Sequence, residues 1–177
     1  MTRPVFWLDR DGTIVDDPGY LADPAALVLL DGAAEAVARL NRLGTVILVT
    51  NQSGIGRGYM TREVVDTIHD ELQRKLGDAG AHLDQIELCP HHPDEGCECR
   101  KPEPGMVLRA RSGLGPHGNE YVIGDKPADV ELAHAAGCIP VLVRTGDGVA
   151  TDGARAEFIA ADLSAAVDWI ESREAAR

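Results

Sequence analysis

The chain has 177 residues, enough for one domain with its own core, and 44% of them are hydrophobic, 26% charged and 4% aromatic. A formal net charge of −12 argues against a nucleic-acid partner, which needs a basic footprint. No apolar run approaches the ~18 residues of a membrane-spanning helix, and Met1-Thr2-Arg3-Pro4 lacks a signal-peptide profile; the expectation is a cytoplasmic protein with no membrane partner.

Short apolar runs alternate with amphipathic segments along the chain. Val5–Leu8 reads as a buried strand, followed by a Gly/Pro/Asp-rich loop to about Asp31. Ala33–Leu43 carries helical spacing and ends at Gly44, as a C-cap would. Thr45–Val49 is a second buried strand. Thr61 caps a further helix, whose predicted apolar stripe is Val64, Ile68, Leu72 and Leu76. Ile86–Leu88 is a third strand and leads into a cysteine-rich loop. Gly105–Ser112 reads as helix, Tyr121–Ile123 as strand, Ala128–Ala136 as helix closed by Gly137, and Pro140–Val143 as strand. Phe158–Ile159 is a short strand and Leu163–Ser172 a final helix. The alternation predicts an α/β fold, a Rossmann-like parallel sheet flanked by helices, formed by one domain over residues 1–177. Ligands of such sheets sit beyond the carboxyl ends of the strands, at a topological switch point.

Every chemically suggestive motif follows a strand. Asp9 and Asp11, in Asp9-Arg10-Asp11-Gly12-Thr13, leave the first strand with a spacing that points both carboxylates the same way. They can serve as nucleophile and general acid, or as oxygen ligands of a hard cation. Thr50-Asn51-Gln52-Ser53-Gly54 ends the second strand in a hydroxyl and free amides suited to phosphoryl oxygens. Arg57, Arg100 and Lys101 are candidate anion contacts, and a solvated loop or surface role is the plain alternative for each. Asp125 follows the fourth strand and offers a third oxygen ligand for magnesium, with Asp129 a helical turn beyond.

The segment Cys89 to Cys99 holds three thiols and two imidazoles. Cys89, His91, Cys97 and Cys99 make a sufficient set for a closed tetrahedral zinc site, with His92 as an alternative to His91. Such a site has no open position for catalysis and would fold a loop with little core of its own. Cys138 reads as a small core residue.

The four strand-end motifs together resemble the haloacid-dehalogenase superfamily of phosphohydrolases over roughly residues 5 to 145. That resemblance implies that Asp9 attacks phosphorus to form an aspartyl-phosphate, that Asp11 is the acid and base, and that Thr50 and Lys101 hold the phosphoryl group. It further implies Mg2+ on Asp9, Asp125 and the main-chain carbonyl of Asp11. The zinc loop before Lys101 is similar to that of the group shared by histidinol-phosphate phosphatase and D-glycero-D-manno-heptose 1,7-bisphosphate 7-phosphatase. Asp17-Pro18-Gly19-Tyr20, Thr50 to Gly58, Cys89 to Pro93, Lys101 to Met106 and Val143 to Gly146 resemble the heptose family more closely, and His91 is the zinc ligand it favours. The stretch from His91 to Cys97 is short, as in the histidinol-phosphate relatives.

The resemblance implies a capless enzyme acting on a small phosphorylated sugar, with the pocket shaped by the loops 17–20 and 53–58 and the zinc loop, and with Asp17, Gly19, Tyr20, Asn51, Gln52 and Ser53 as substrate contacts; no apolar surface helix stands out in the sequence, so a monomer is the expectation. Arg57 and Arg100 would bind a remote second phosphate, and Lys126 would lie near the transferring group. The implied reaction removes the C7 phosphate on the way to ADP-heptose for cell-surface glycans. Histidinol-phosphate phosphatase and a non-catalytic zinc-stabilised binding module are the alternatives.

Overall fold

The computed structural model describes residues 2–153 and 155–176. Six parallel strands form one sheet: β1 (Val5–Leu8), β2 (Thr45–Asn51), β3 (Gln85–Cys89), β4 (Glu120–Gly124), β5 (Ile139–Val143) and β6 (Phe158–Ala160). Their order is β3-β2-β1-β4-β5-β6. β1 is central, with Leu8 beside Leu48 of β2 and Ile123 of β4. Chain order reverses between β1 and β4, which makes their carboxyl ends the switch point.

Side chains alternate across the sheet because a strand repeats every two residues. Phe6, Leu8, Val46, Leu48, Tyr121 and Ile123 face one layer, formed by α1 (Ala33–Leu43), α2 (Arg62–Asp78) and α5 (Leu163–Ala175). Val5, Trp7, Ile47, Val49 and Val122 face the other, formed by α3 (Gly105–Arg111) and α4 (Pro127–Ala136). Branched aliphatic residues buried on both faces are what a covered parallel sheet requires.

Helix ends follow local chemistry. The Thr61 hydroxyl accepts from Val64 N to start α2, and Gly137, with φ 72°, ends α4 in the left-handed region. The core face of α2 differs from the predicted stripe: Val65, Ile68, His69, Leu72 and Leu76 are buried, and Val64 is only partly so. The loop before α1 holds a 3-10 turn at Pro24–Ala26, capped by Asp23.

Candidate active site

The carboxyl ends of β1, β2 and β4 converge on a buried charged cluster. Lys101 Nζ donates to Asp9 Oδ1 at 2.6 Å and to Asp129 Oδ1 at 2.7 Å. Asp9, Lys101, Asp125 and Asp129 are each under 7% exposed. Asp129 stands in the first turn of α4, where its Oδ2 also accepts from Lys126 N at 3.0 Å. Burial pulls the Lys101 ammonium down, but the Asp129 and Asp9 carboxylates outweigh it and hold the pKa above its ordinary value.

Asp125 is held differently. Its Oδ2 accepts from Asp147 N at 2.7 Å, while its Oδ1 is buried without a partner. Burial, and then the charge of Asp9, push its carboxyl up to about 7. Gly12 has φ 85° and lies directly against it, so a Cβ there would overlap the Asp125 carboxylate. Asp9, Asp125 and Asp129 each offer an oxygen within 4.8 Å of the others. Three buried carboxylates, two of them bonded to one ammonium and the third with an orphaned oxygen, are a donor set that fits a hard divalent cation. Asp129 was not among the predicted ligands; its signal in the sequence is the four-residue step from Asp125 at the start of a helix.

Asp11 is fixed from two sides. Arg10 Nε donates to its Oδ1 at 2.9 Å and Gln52 Nε2 donates to its Oδ2 at 2.9 Å. Burial raises its pKa against the opposing charge of Arg10. Gln52 Nε2 also reaches the Thr50 hydroxyl at 2.8 Å. A small well of about 50 Å³ is lined by Asp9, Asp11, Asn51, Lys101, Lys126 and Asp129, among others. Beside it, a cleft of about 250 Å³ is lined by Asp17, Gly19, Tyr20, Asn51, Gln52, Ser53 and Lys126, with Asp11 at its floor.

Asn51, Lys126, Asp17 and Gln52, all expected to touch substrate, are engaged with protein, Gln52 through the bonds just given. Asn51 exchanges two hydrogen bonds with the Lys101 main chain. Lys126 Nζ donates to Asp17 Oδ2 at 2.9 Å, and that contact holds the Asp17 carboxyl below its usual range despite burial. Arg57 and Arg100 do not line this cleft. Arg100 lines a neighbouring one of about 400 Å³ with Cys97, Lys101 and Glu103. Arg57 Nε and Arg100 Nη1 are buried without partners, which leaves both guanidinium groups with donors to give.

The four ligand atoms of Cys89, His91, Cys97 and Cys99 lie within 4.8 Å of one another. The separations are 3.5 Å from Cys89 Sγ to both His91 Nδ1 and Cys97 Sγ, 3.2 Å from His91 Nδ1 to Cys99 Sγ, and 3.6 Å between Cys97 Sγ and Cys99 Sγ. A tetrahedron with metal–ligand bonds of ~2.0–2.3 Å has edges of roughly 3.3–3.8 Å, so the cluster is already shaped for zinc. His92 faces away and accepts from Asp94 N to cap a 3-10 turn at Pro93–Glu95. Gln52 N donates to Cys89 O and Gly56 N to Pro90 O, both at 2.8 Å, lacing this loop to the cleft. Cys138 is buried at the other end of the sheet, beside Glu120 and Arg111.

A family model of HAD-hydrolase-like proteins matches residues 98–166. The D-glycero-beta-D-manno-heptose-1,7-bisphosphate 7-phosphatase of Pseudomonas aeruginosa is 41% identical over 156 residues, covering 86% of this chain and 88% of its own. The enzyme of the same name from Escherichia coli K12 is 39% identical over 163 residues, covering 86% and 85%. A crystal structure of D,D-heptose 1,7-bisphosphate phosphatase from B. bronchiseptica, complexed with magnesium and phosphate, superposes with a TM-score of 0.87 at 37% identity, covering 96% of this chain and 98% of that one.

Proposed function

The chain belongs to the heptose-1,7-bisphosphate 7-phosphatase family of haloacid-dehalogenase-like hydrolases, and from that membership we propose that it hydrolyses the C7 phosphate ester of D-glycero-D-manno-heptose 1,7-bisphosphate through an aspartyl-phosphate. The observation that carries the mechanism is the buried Asp9–Lys101 pair at 2.6 Å, at the end of the central strand and open to a small well. Asp9 attacks phosphorus in line, forming an oxygen–phosphorus bond as the bond to the C7 oxygen breaks. Lys101 and the Thr50 hydroxyl hold the phosphoryl oxygens. Asp11 gives its proton to the leaving alkoxide, a role served by its raised pKa. It then takes a proton from the water that attacks the phospho-aspartate, and inorganic phosphate leaves.

The Asp9 and Asp125 carboxylates and the Asp11 carbonyl would hold magnesium, which would supply the positive charge that an anionic nucleophile needs to approach an anionic ester. Asp129 anchors Lys101 beside that site. Cys89, His91, Cys97 and Cys99 would hold zinc in a structural role, fastening the loop that runs into Arg100 and Lys101. The orphaned donors of Arg57 and Arg100 are suited to the phosphate that is retained at C1. Asp17, Gly19, Tyr20, Ser53 and Lys126 line the sugar cleft.

The β anomer is the form in the names of the P. aeruginosa and E. coli relatives, and it is the one proposed here. No helix among the described residues is long and apolar enough to cross a membrane; the reading places a capless, single-domain monomer in the cytoplasm. Phosphate release with magnesium, measured on both heptose bisphosphate anomers and on histidinol phosphate, tests it. Preference for the β-heptose bisphosphate is expected, and preference for histidinol phosphate would overturn the substrate.

A further inference from the structure

Arg10 and His69 take no part in the chemistry above, yet both are buried beside it. Arg10 is 1% exposed. A guanidinium cannot shed its charge, so in the core its donors need acceptors. Its Nε reaches Asp11 Oδ1 at 2.9 Å, and its Nη1 reaches Nε2 of His69 at 3.2 Å. Because arginine only donates, His69 accepts at Nε2 and carries its proton on Nδ1.

His69 lies on the core face of α2 between Ile68 and Leu72, a position that helical periodicity alone would fill with leucine. Burial, reinforced by the charge of Arg10, brings the imidazole down to about 4, which keeps it a neutral acceptor. The Arg10 carbonyl in turn collects the N–H groups of Thr13, Ile14 and Val15, so the turn that carries Asp11 is folded around the same residue. With the Asp11 main chain fixed there and Oδ2 taken by Gln52, the Arg10 guanidinium sets the remaining oxygen.

We propose that His69 is a positioning residue for Asp11, acting through Arg10 to fix the angle at which the Asp11 carboxyl meets the leaving oxygen. This rests on the reading of Asp11 as the general acid. With no acceptor at residue 69, Arg10 Nη1 would be left unpaired in the core, and the guanidinium would turn and carry Asp11 with it. A misaimed acid costs most when the leaving group most needs a proton. A sugar alkoxide needs one, and a nitrophenolate does not.

The test compares kcat/KM, which reports the steps up to departure of the leaving group and not the later hydrolysis of the phospho-enzyme, on heptose bisphosphate and on p-nitrophenyl phosphate for His69→Leu and His69→Gln, with circular dichroism to establish folding. His69→Leu should lower kcat/KM on the sugar by about tenfold, and kcat/KM on the aryl ester by less than about twofold. His69→Gln, whose Oε1 can stand in for Nε2, should recover most of the loss. Equal loss on both substrates, no loss on either, or no recovery with glutamine would overturn the proposal. If His69→Leu does not fold, His69→Met is read in its place. Asp11→Asn runs in parallel: equal loss on both substrates there would remove the acid assignment itself. A leaving-group-selective loss in Asp11→Asn with none in His69→Leu would overturn only the role of His69.

Discussion

The Asn51 side chain clasps the Lys101 main chain in both directions: its Nδ2 donates to Lys101 O at 3.2 Å, and its Oδ1 accepts from Lys101 N at 3.0 Å. The end of β2 thereby sets the height of the lysine that pairs with Asp9. Asn51→Ala removes both bonds, at about 1 kcal/mol each, and lets Lys101 shift. A fall in kcat of about ten- to a hundredfold is expected, with melting temperature lowered by a few degrees; wild-type kcat in a folded variant would refute the clasp.

Asp9→Asn should abolish turnover while the protein still folds. Lys101 keeps its bond to Asp129 at 2.7 Å, so the buried ammonium is not stranded by the change. Phosphate release together with circular dichroism reads both halves. Turnover retained in that variant would remove Asp9 as nucleophile.

Protein purified without added zinc should contain one equivalent per chain by metal analysis. Burial pushes the Cys89 thiol up to about 12 without metal, so zinc must displace protons to bind and its affinity should fall as pH is lowered. Chelation should lower the melting temperature and, through the loop into Lys101, kcat. A folded, fully active protein free of zinc would contradict this.

Arg100 has a buried Nη1 with no partner, which a ligand anion would satisfy. Arg100→Ala should raise KM for the bisphosphate by about tenfold or more, and leave a monophosphate nearly unaffected. Equal losses on the two would place Arg100 outside the second-phosphate contact.

Asp125 gives a pH dependence whose sign can be worked out. Its carboxyl is raised from 3.8 to about 7 in the folded, metal-free protein, so between those values the native state holds a proton that the unfolded chain has lost. Stability from this group is full below pH 3.8 and is lost as pH rises through about 7. Magnesium binds the ionised form, so the rise in melting temperature on adding it should grow from pH 5.5 to 8, about half-way near pH 7. A magnesium shift independent of pH would exclude Asp125 as a ligand.

Much of this architecture was legible because the strands are built around short apolar runs and α1 and α4 end at glycine. The predicted β1 has the observed bounds, and the other predicted strands fall short by one or two residues at one end or both. Asn51, Gln85 and Glu120 continue the ladder although they are polar, and hydropathy does not see main-chain pairing. The charged strand-end residues could be singled out by spacing, whereas their partners could not. Lys101 meets Asp129, Asn51 meets Lys101, and Arg10 meets His69 across 28, 50 and 59 residues. In a single sequence His69 reads as one polar interruption in a helical stripe, and Asn51 as turn chemistry. Only the fold shows what each one holds.

The placement of β1 has a consequence for how the enzyme fails. Val5 to Leu8 are paired on both sides and almost fully buried, so their amides can exchange with solvent only when the whole sheet opens. Asp9 therefore keeps its geometry until the entire fold is lost. Substitutions that weaken the core far from the site should reduce how many molecules are competent, while each surviving molecule turns over at the wild-type rate.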